Sequence, residues 1–229
     1  MPTKTNRRTH GMTLVEVAVV VAIIGALLGL SFSSMQTWRL NENAAASARS
    51  LGDLFRLAAN EATQKESVHI LFFAIGGNGD TAGNALVDLS GTGVPILLLD
   101  DGPLGSANQN CEIDAGEEIH VIRADNTTNI GWGFSVSGDT KAPGDQSPVA
   151  STTTGSTFAT PAGAAVTWVA FMPDGRPLGF DGTCSMGQLG SGNGAIYLTN
   201  GSRDYAVVLN PLGGVRIHAW NAGEGAWQN

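Results

Sequence analysis

From Val17 to Leu30 no side chain is charged or polar, yet Glu16 stands at the mouth of that run. An unpaired carboxylate at membrane depth costs several kcal/mol. A chain that keeps such a residue directly before fourteen apolar positions has few ways to fold. The run must meet lipid or other helices, and Glu16 must have a partner or a task.

The flanks narrow the choice. "MPTKTNRRTHG" carries Lys4, Arg7 and Arg8 and no acid, so the positive-inside rule keeps that end cytoplasmic and puts the body outside. Met12 to Ser33 is 22 residues, about 33 Å of helix, enough to cross a bilayer core. The apolar run passes without a small-residue cleavage site into a second helical stretch, where Leu40, Ala44, Ala48, Leu51, Leu54, Phe55, Ala58 and Ala62 recur at three and four. With no Pro between Thr3 and Pro95, one helix is expected from about Thr13 to about Gln64, roughly 78 Å long. A single-pass anchor with a stalk accounts for all of this except Glu16.

"GMTLVEV" resembles the processing site of type IV prepilins and pseudopilins: Gly, a hydrophobic residue, Thr, Leu, a β-branched residue and Glu. Met12 stands where Phe is usual. The resemblance implies a leader at 1–11, removed by a prepilin peptidase that cuts between Gly11 and Met12, and N-methylation of Met12. It also implies an assembly role for Glu16, whose carboxylate would meet the amino terminus of a neighbouring subunit in a filament. Two buried charges cost least when paired, and such a pair can set register. Segments 12–35 and 36–66 are then the transmembrane, filament-core half and the amphipathic half of one helix. Residues 67–229 form an extracytoplasmic head.

Gly is abundant, at 31 residues, which points to a turn-rich β body. Strands are expected at 67–75, 94–100, 117–124, 130–136, 165–172, 195–200, 204–210 and 215–220. A long helix followed by antiparallel strands is an α+β fold. "VTWVAFMPDGRPLGF…GAIYLTNGSRDYAVVLNPLGGVRI" resembles the C-terminal half of H-type minor pseudopilins and FimT/FimU-like minor pilins. That likeness covers 11–75 and 165–220 and leaves 76–164 as an insertion. The helix also has Ser33 where major pilins often carry Pro. The resemblance therefore implies a minor pilin of a bacterial type IV pilus, in a tip or priming complex. The alternatives are a minor pseudopilin of a type II secretion system and a DNA-binding minor pilin for natural transformation. Implied partners are other minor pilins, the major pilin, the prepilin peptidase, the assembly platform, a tip adhesin, and the inner membrane before assembly, with the head in the periplasm and later at the cell surface. No enzymatic activity and no cofactor are expected.

Within the insertion, no Lys or Arg lies between Lys65 and Arg123 while acids accumulate. "DDGPLGSANQNCEIDAGEE" has oxygen donors dense enough for a Ca²⁺ loop, with Asp100, Asp101 and Asp114 as candidates. Its spacing misses the EF-hand template, so a solvated acidic loop and no metal are expected. The Ser/Thr/Gly/Pro-rich segment 137–163 reads as a mobile loop. Cys111 and Cys184, the only cysteines, are expected to pair outside the cytoplasm, closing a loop of about 70 residues for around 4 kcal/mol. His69, His120 and His218 fall in strands and are assigned to core or surface. "NTT" at 126–128 fits a glycosylation sequon, but the prepilin resemblance implies a bacterial host, so little follows from it. Without its leader the chain has 9 basic against 20 acidic side chains; the basic ones of the body, Arg123, Lys141, Arg176, Arg203 and Arg216, are scattered without a run. No use for DNA is expected unless Arg176, Arg203 and Arg216 converge. Trp220 and Trp227 are the expected apolar anchors for other pilin heads.

Overall fold

A computed structural model describes residues 12–88, 90–114, 116–122, 130–150, 152–187 and 194–229; the side chains of 28, 30–34, 37, 121 and 122 fall outside the description. The leader 1–11 with Gly11, Arg123 and the sequon at 126–128 also lie outside the described residues. The chain divides into two compact units, Met1–Leu40 and Asn41–Asn229.

One helix, α1 (Leu14–Lys65), has 52 residues, close to the expected span. In the first unit it exposes Val17, Val20, Ile24 and Leu27. Among the described residues no helix is long and apolar enough to cross a membrane; the unbroken run of described side chains ends at Leu27.

In the second unit Ala44, Ala48, Leu51, Leu54, Phe55, Ala58 and Ala62 are buried along one face of α1. The spacing of three and four makes this a continuous stripe, and its alanines let the backbone approach the sheets closely. The helix stops where Glu66 takes a left-handed φ of 53°, a conformation that turns the chain out of a helix.

Among the described residues eleven strands follow: β1 (Ser67–Phe73), β2 (Ile96–Pro103), β3 (Glu118–Ile122), β4 (Gly131–Trp132), β5 (Trp168–Phe171), β6 (Pro177–Phe180), β7 (Met186–Gly187), β8 (Gly194–Thr199), β9 (Asp204–Leu209), β10 (Val215–Asn221) and β11 (Ala226–Gln228). They form two sheets, ordered β3-β2-β1-β5-β6-β7 and β11-β10-β9-β8-β4, with every pairing antiparallel. The fold is α+β, a helix packed on antiparallel sheets. The short strands β6, β7 and β11 were not expected, because Pro177 and several glycines make those stretches read as turns.

Both sheets are covered on both faces. Toward α1, Leu71, Phe73, Ile96, Leu98, Phe171, Ile196 and Val207 join the helix stripe in one core. On the far side of the first sheet, Val68, Ile70, Phe72, Leu97 and Leu99 pack under Leu86, Val94 and Cys111 from the insertion. On the far side of the second, Tyr197, Ala206 and Val208 pack under Ala142. Double coverage explains why β1 and β9 are buried at every position rather than alternately.

The segment 137–163 therefore departs from expectation: it packs into the body instead of standing off as a loop. Phe158, Thr152 and Thr157 are fully buried. Several of its hydroxyls are used internally. Asp145 Oδ2 accepts the Tyr197 hydroxyl at 2.7 Å and the Thr157 hydroxyl at 2.9 Å, and Ser156 Oγ donates to Val166 O at 2.8 Å. A polar composition is compatible with burial when each group finds a partner.

The strand expected over 130–136 shrinks to two residues for a similar reason. The N–H groups of Ser135, Val136 and Ser137 turn away from any ladder and donate to the Asp204 carboxylate at 2.9, 2.9 and 2.7 Å. Burial alone would raise the pKa of Asp204, but the Thr199 hydroxyl and these amides outweigh it and hold the group below its ordinary value. Its stabilising contribution is thus complete above the unfolded carboxylate pKa, roughly 3.9, and disappears as pH falls through the lower folded value. We predict that Asp204→Ala costs about 2 kcal/mol at pH 7, because the buried Ser137 N–H and two part-buried amides lose their acceptor. Urea unfolding should show this gap to the parent protein narrowing as pH falls through the lowered pKa of Asp204.

Candidate functional site

The N-terminal constellation is local. Thr13 N–H and Thr13 Oγ donate to Glu16 Oε2 at 2.9 and 3.0 Å, and Glu16 N–H donates to Thr13 Oγ at 3.2 Å. This is a reciprocal capping box at the start of α1, where Val17 N–H makes a first helical bond to Thr13 O at 3.3 Å. The sequence announced it as Thr13-Leu-Val-Glu16, a Thr-x-x-Glu pattern before an apolar run, and the reading above missed it. Met12 is exposed one residue before Thr13.

The two turns that carry the C-terminal resemblance come together. Gly175, in the β5–β6 turn, has φ 77°, and Gly213, in the β9–β10 turn, has φ 81°. A Cβ on Gly213 would lie 3.1 Å from Gly175 O, and one on Gly175 would lie 3.3 Å from Thr63 Oγ1 of α1. Both turns thus need glycine for conformation and for close approach.

The cations around them do not form one patch. Arg176 is engaged by Asp174 through Nε at 2.5 Å. Arg203 lies over the Tyr205 ring, 5.9 Å from its centre. Arg216 pairs in register with Val208, five residues along from Arg203, or about 17 Å of strand. Trp220 and Trp227 are not free anchors. Their rings meet edge to face at 5.3 Å, Trp227 also packs on Tyr197 at 5.8 Å, and Trp227 Nε1 donates to Thr140 O at 2.8 Å. They clamp β11 onto the 137–163 segment.

The three Ca²⁺ candidates do not share one site: Asp100 and Asp114 line one cavity with Glu117 and Glu118, and Asp101 is turned away from it. Asp100 and Asp101 are successive residues of β2 and point to opposite faces of the sheet. Asp114 is exposed and accepts Asn110 Nδ2 at 2.7 Å. Nor is the acidic stretch simply solvated: Asp80 and Asp101 are buried. Asp101 Oδ1 accepts the N–H of Cys111 at 3.0 Å and of Asn110 at 3.3 Å, while Oδ2 has no partner. Desolvation, reinforced by Glu117, pushes the Asp101 pKa up to about 7. Among the described residues, Asp101 with Cys111 and Cys184 brings three donor atoms within 4.8 Å of one another. Both sulfurs are spent in the Cys111–Cys184 disulfide, with Cα atoms 5.4 Å apart. The bond ties the loop after β2 to the turn before β7.

Residues 6–32 match the family model described as the prokaryotic N-terminal methylation motif. That motif indicates a type IV pilin-like prepilin, and it implies processing by a prepilin peptidase and assembly with other pilins. No curated protein and no solved structure matches the chain.

Two outcomes follow from the disulfide loop. Reduction should lower the melting temperature by on the order of 10 °C, as expected when about 4 kcal/mol is lost from a chain of this size; calorimetry with and without reductant measures it. Asp101 binds its proton more tightly folded than unfolded. Its contribution is full below the unfolded pKa and is lost as pH rises through about 7. Asp101→Asn keeps the acceptor for Cys111 and removes the charge. It should be about 2 kcal/mol more stable than the parent at pH 8 and equal to it near pH 4, measured by unfolding at both values.

Proposed function

We propose that this chain is a minor pilin, a structural subunit of a bacterial type IV pilus that acts in the tip or priming complex initiating assembly. The observation that carries the reading is the methylation motif at 6–32, set on a helix whose later part is the spine of a two-sheet head. On this reading the segment 12–35 holds the precursor in the inner membrane and afterwards lines the filament core. The head faces the periplasm and meets other minor pilins, the major pilin and a tip adhesin. The assembly platform extracts the subunit after prepilin peptidase has cut between Gly11 and Met12 and Met12 has been N-methylated.

A type II secretion pseudopilin would use the same N-terminal machinery. Copurification with pilus tip proteins supports the first reading, and copurification with secretion components moves the chain to the second. The DNA-binding alternative would need Arg176, Arg203 and Arg216 on one basic face, and Arg203 and Arg216 stand about 17 Å apart along the strand. A gel shift at physiological salt tests it, and saturable binding lost in Arg203→Ala would favour it.

The capping box sharpens the test of Glu16. Glutamine serves at the third helical position of a capping box as glutamate does, but brings no charge. If Glu16 works by pairing with a neighbour's amino terminus, Glu16→Gln and Glu16→Val both accumulate in membranes and are nearly absent from sheared filaments. A Glu16→Gln subunit that enters filaments normally, beside a defective Glu16→Val, would reduce Glu16 to a cap. The mass of the mature subunit should reveal loss of the leader and gain of one methyl group; a mature chain starting near Ser31 would point to an ordinary signal peptide.

A further inference from the structure

Where α1 ends in the head unit, six ionisable side chains from four elements face one another: Glu61 and Lys65 on α1, His69 on β1, Asp100 on β2, and Glu118 and His120 on β3. Strand register explains the gathering. His69 is opposite Asp100, Asp100 is opposite Glu118, and Leu98 is opposite His120. The same face carries Leu71, Phe73, Ile96 and Leu98 into the core beneath the helix. The polar residues are the continuation of that face past the apolar part.

Within the cluster the charges are poorly matched. Lys65 Nζ lies 2.7 Å from Glu118 Oε2 and 3.5 Å from Asp100 Oδ2. Glu61 Oε2 lies 3.5 Å from His69 Nε2 and 3.3 Å from His120 Nε2, and His120 Nε2 lies 3.1 Å from Glu118 Oε1. Yet Glu61 Oε2, His69 Nε2 and His120 Nε2 are all buried atoms without a hydrogen-bond partner. Three carboxylates, those of Glu61, Asp100 and Glu118, stand against the one ammonium of Lys65 in this half-buried site. Such a deficit calls for a cation or for protons.

We propose that His69, His120 and Glu61 are the donor set of a divalent transition-metal site of the zinc class, with Glu118 Oε1 in the fourth position. Two imidazole nitrogens with carboxylate oxygens suit zinc and disfavour Ca²⁺ and Mg²⁺, which take all-oxygen shells. Bonds of roughly 2.0–2.2 Å in a tetrahedral centre set neighbouring donors roughly 3.3–3.6 Å apart, near the three consecutive separations found from His69 through Glu61 and His120 to Glu118. The four atoms form an open chain: no three of them lie mutually within 4.8 Å, whereas a tetrahedral centre holds all six donor pairs close, so an ion must draw the ends together. His120 can supply that movement: it is on β3, at the sheet edge, and its side chain is 39% exposed. His69 is fixed instead. It is fully buried, and its Nδ1 faces Ser67 O at 3.5 Å and Ser67 Oγ at 3.3 Å. A proton on Nδ1 donated to that carbonyl leaves the Nε2 lone pair toward the site, the usual outer-shell arrangement of a metal-bound histidine. Glu118, 57% exposed, forms the entry rim.

The full-length protein in detergent micelles, stripped with chelator, tests the site at pH 7.5. Titrated Zn²⁺ should bind one ion per chain and raise the melting temperature, with no shift from equal Mg²⁺ or Ca²⁺. Co²⁺ in its place should give the intense visible absorption of a four-coordinate N/O centre. His120→Asn, at the half-exposed edge, should weaken Zn²⁺ binding by at least about 10-fold while leaving the metal-free melting temperature nearly unchanged; Glu61→Gln should do the same from the helix side. Absence of saturable one-to-one binding would overturn the assignment, as would binding that survives both variants. Stabilisation on acidification to pH 6 with no response to Zn²⁺ would assign the carboxylate excess to protons instead, and equally overturn it.

Discussion

The head depends on how one aromatic ring is held. Phe55 leaves the alanine-rich face of α1 and makes ring contacts at 6.1 Å to Phe73 of β1, 6.0 Å to Phe158 of the insertion and 6.3 Å to Phe171 of β5. It ties the helix, the first sheet and the inserted segment at a single place. The alanines before and after it are as necessary as the ring, because only small residues bring α1 near enough for one side chain to reach all three partners. Such a helix cannot be replaced by one with a merely similar apolar moment. Leucines at Ala48 or Ala58 would bury as much surface but lift Phe55 out of its socket.

The insertion then covers what the helix leaves open, and it is organised by carboxylates. Asp80 Oδ2 accepts the N–H of Ile113 at 3.0 Å and the amide of Asn84 at 2.8 Å. Asp101 holds the turn at Cys111, Asp145 joins the Thr157 and Tyr197 hydroxyls, and Asp204 collects the 135–137 amides. None of these four buried acids is satisfied by a Lys or Arg in the hydrogen bonds described. Backbone N–H groups and hydroxyls do that work, which is how loop backbone can be buried without a ladder to join. The acidic balance of the chain is therefore partly internal architecture.

This division decides what the sequence could reveal. The helix, its buried stripe, the principal strands and the Cys111–Cys184 pairing were legible, because periodicity, burial on two faces and an isolated cysteine pair are local or compositional signals. The 137–163 layer was not. Its burial depends on Asp145, Thr157 and Tyr197 meeting across more than fifty positions, and no spacing in a Ser/Thr-rich stretch announces such a meeting. The Trp220–Trp227 contact was hidden because Gly223 and Gly225 made the return strand β11 resemble a tail. The cluster around Glu61 was hidden for another reason: His69, Asp100 and His120 each read as an ordinary strand residue until register places them on one face. The capping box was fully legible at Thr13 and Glu16, beside the assembly role that the family resemblance implies for Glu16.

Those two roles are physically compatible. A carboxylate beside an apolar run is costly, but Glu16 accepts two donors from Thr13 and sits at the positive end of a helix dipole, so much of that cost is offset within one turn. Cleavage between Gly11 and Met12 would not disturb this, because the Thr13 N–H remains an amide before and after. What cleavage would change is charge: it would put a cationic amine one residue ahead of the cap, near the carboxylate of its own chain. A neighbouring subunit's amine must then compete with the capping bonds as well as with water. A pairing that has to displace existing hydrogen bonds gains less energy but discriminates more sharply, since a subunit in the wrong register would surrender its cap and receive nothing in return.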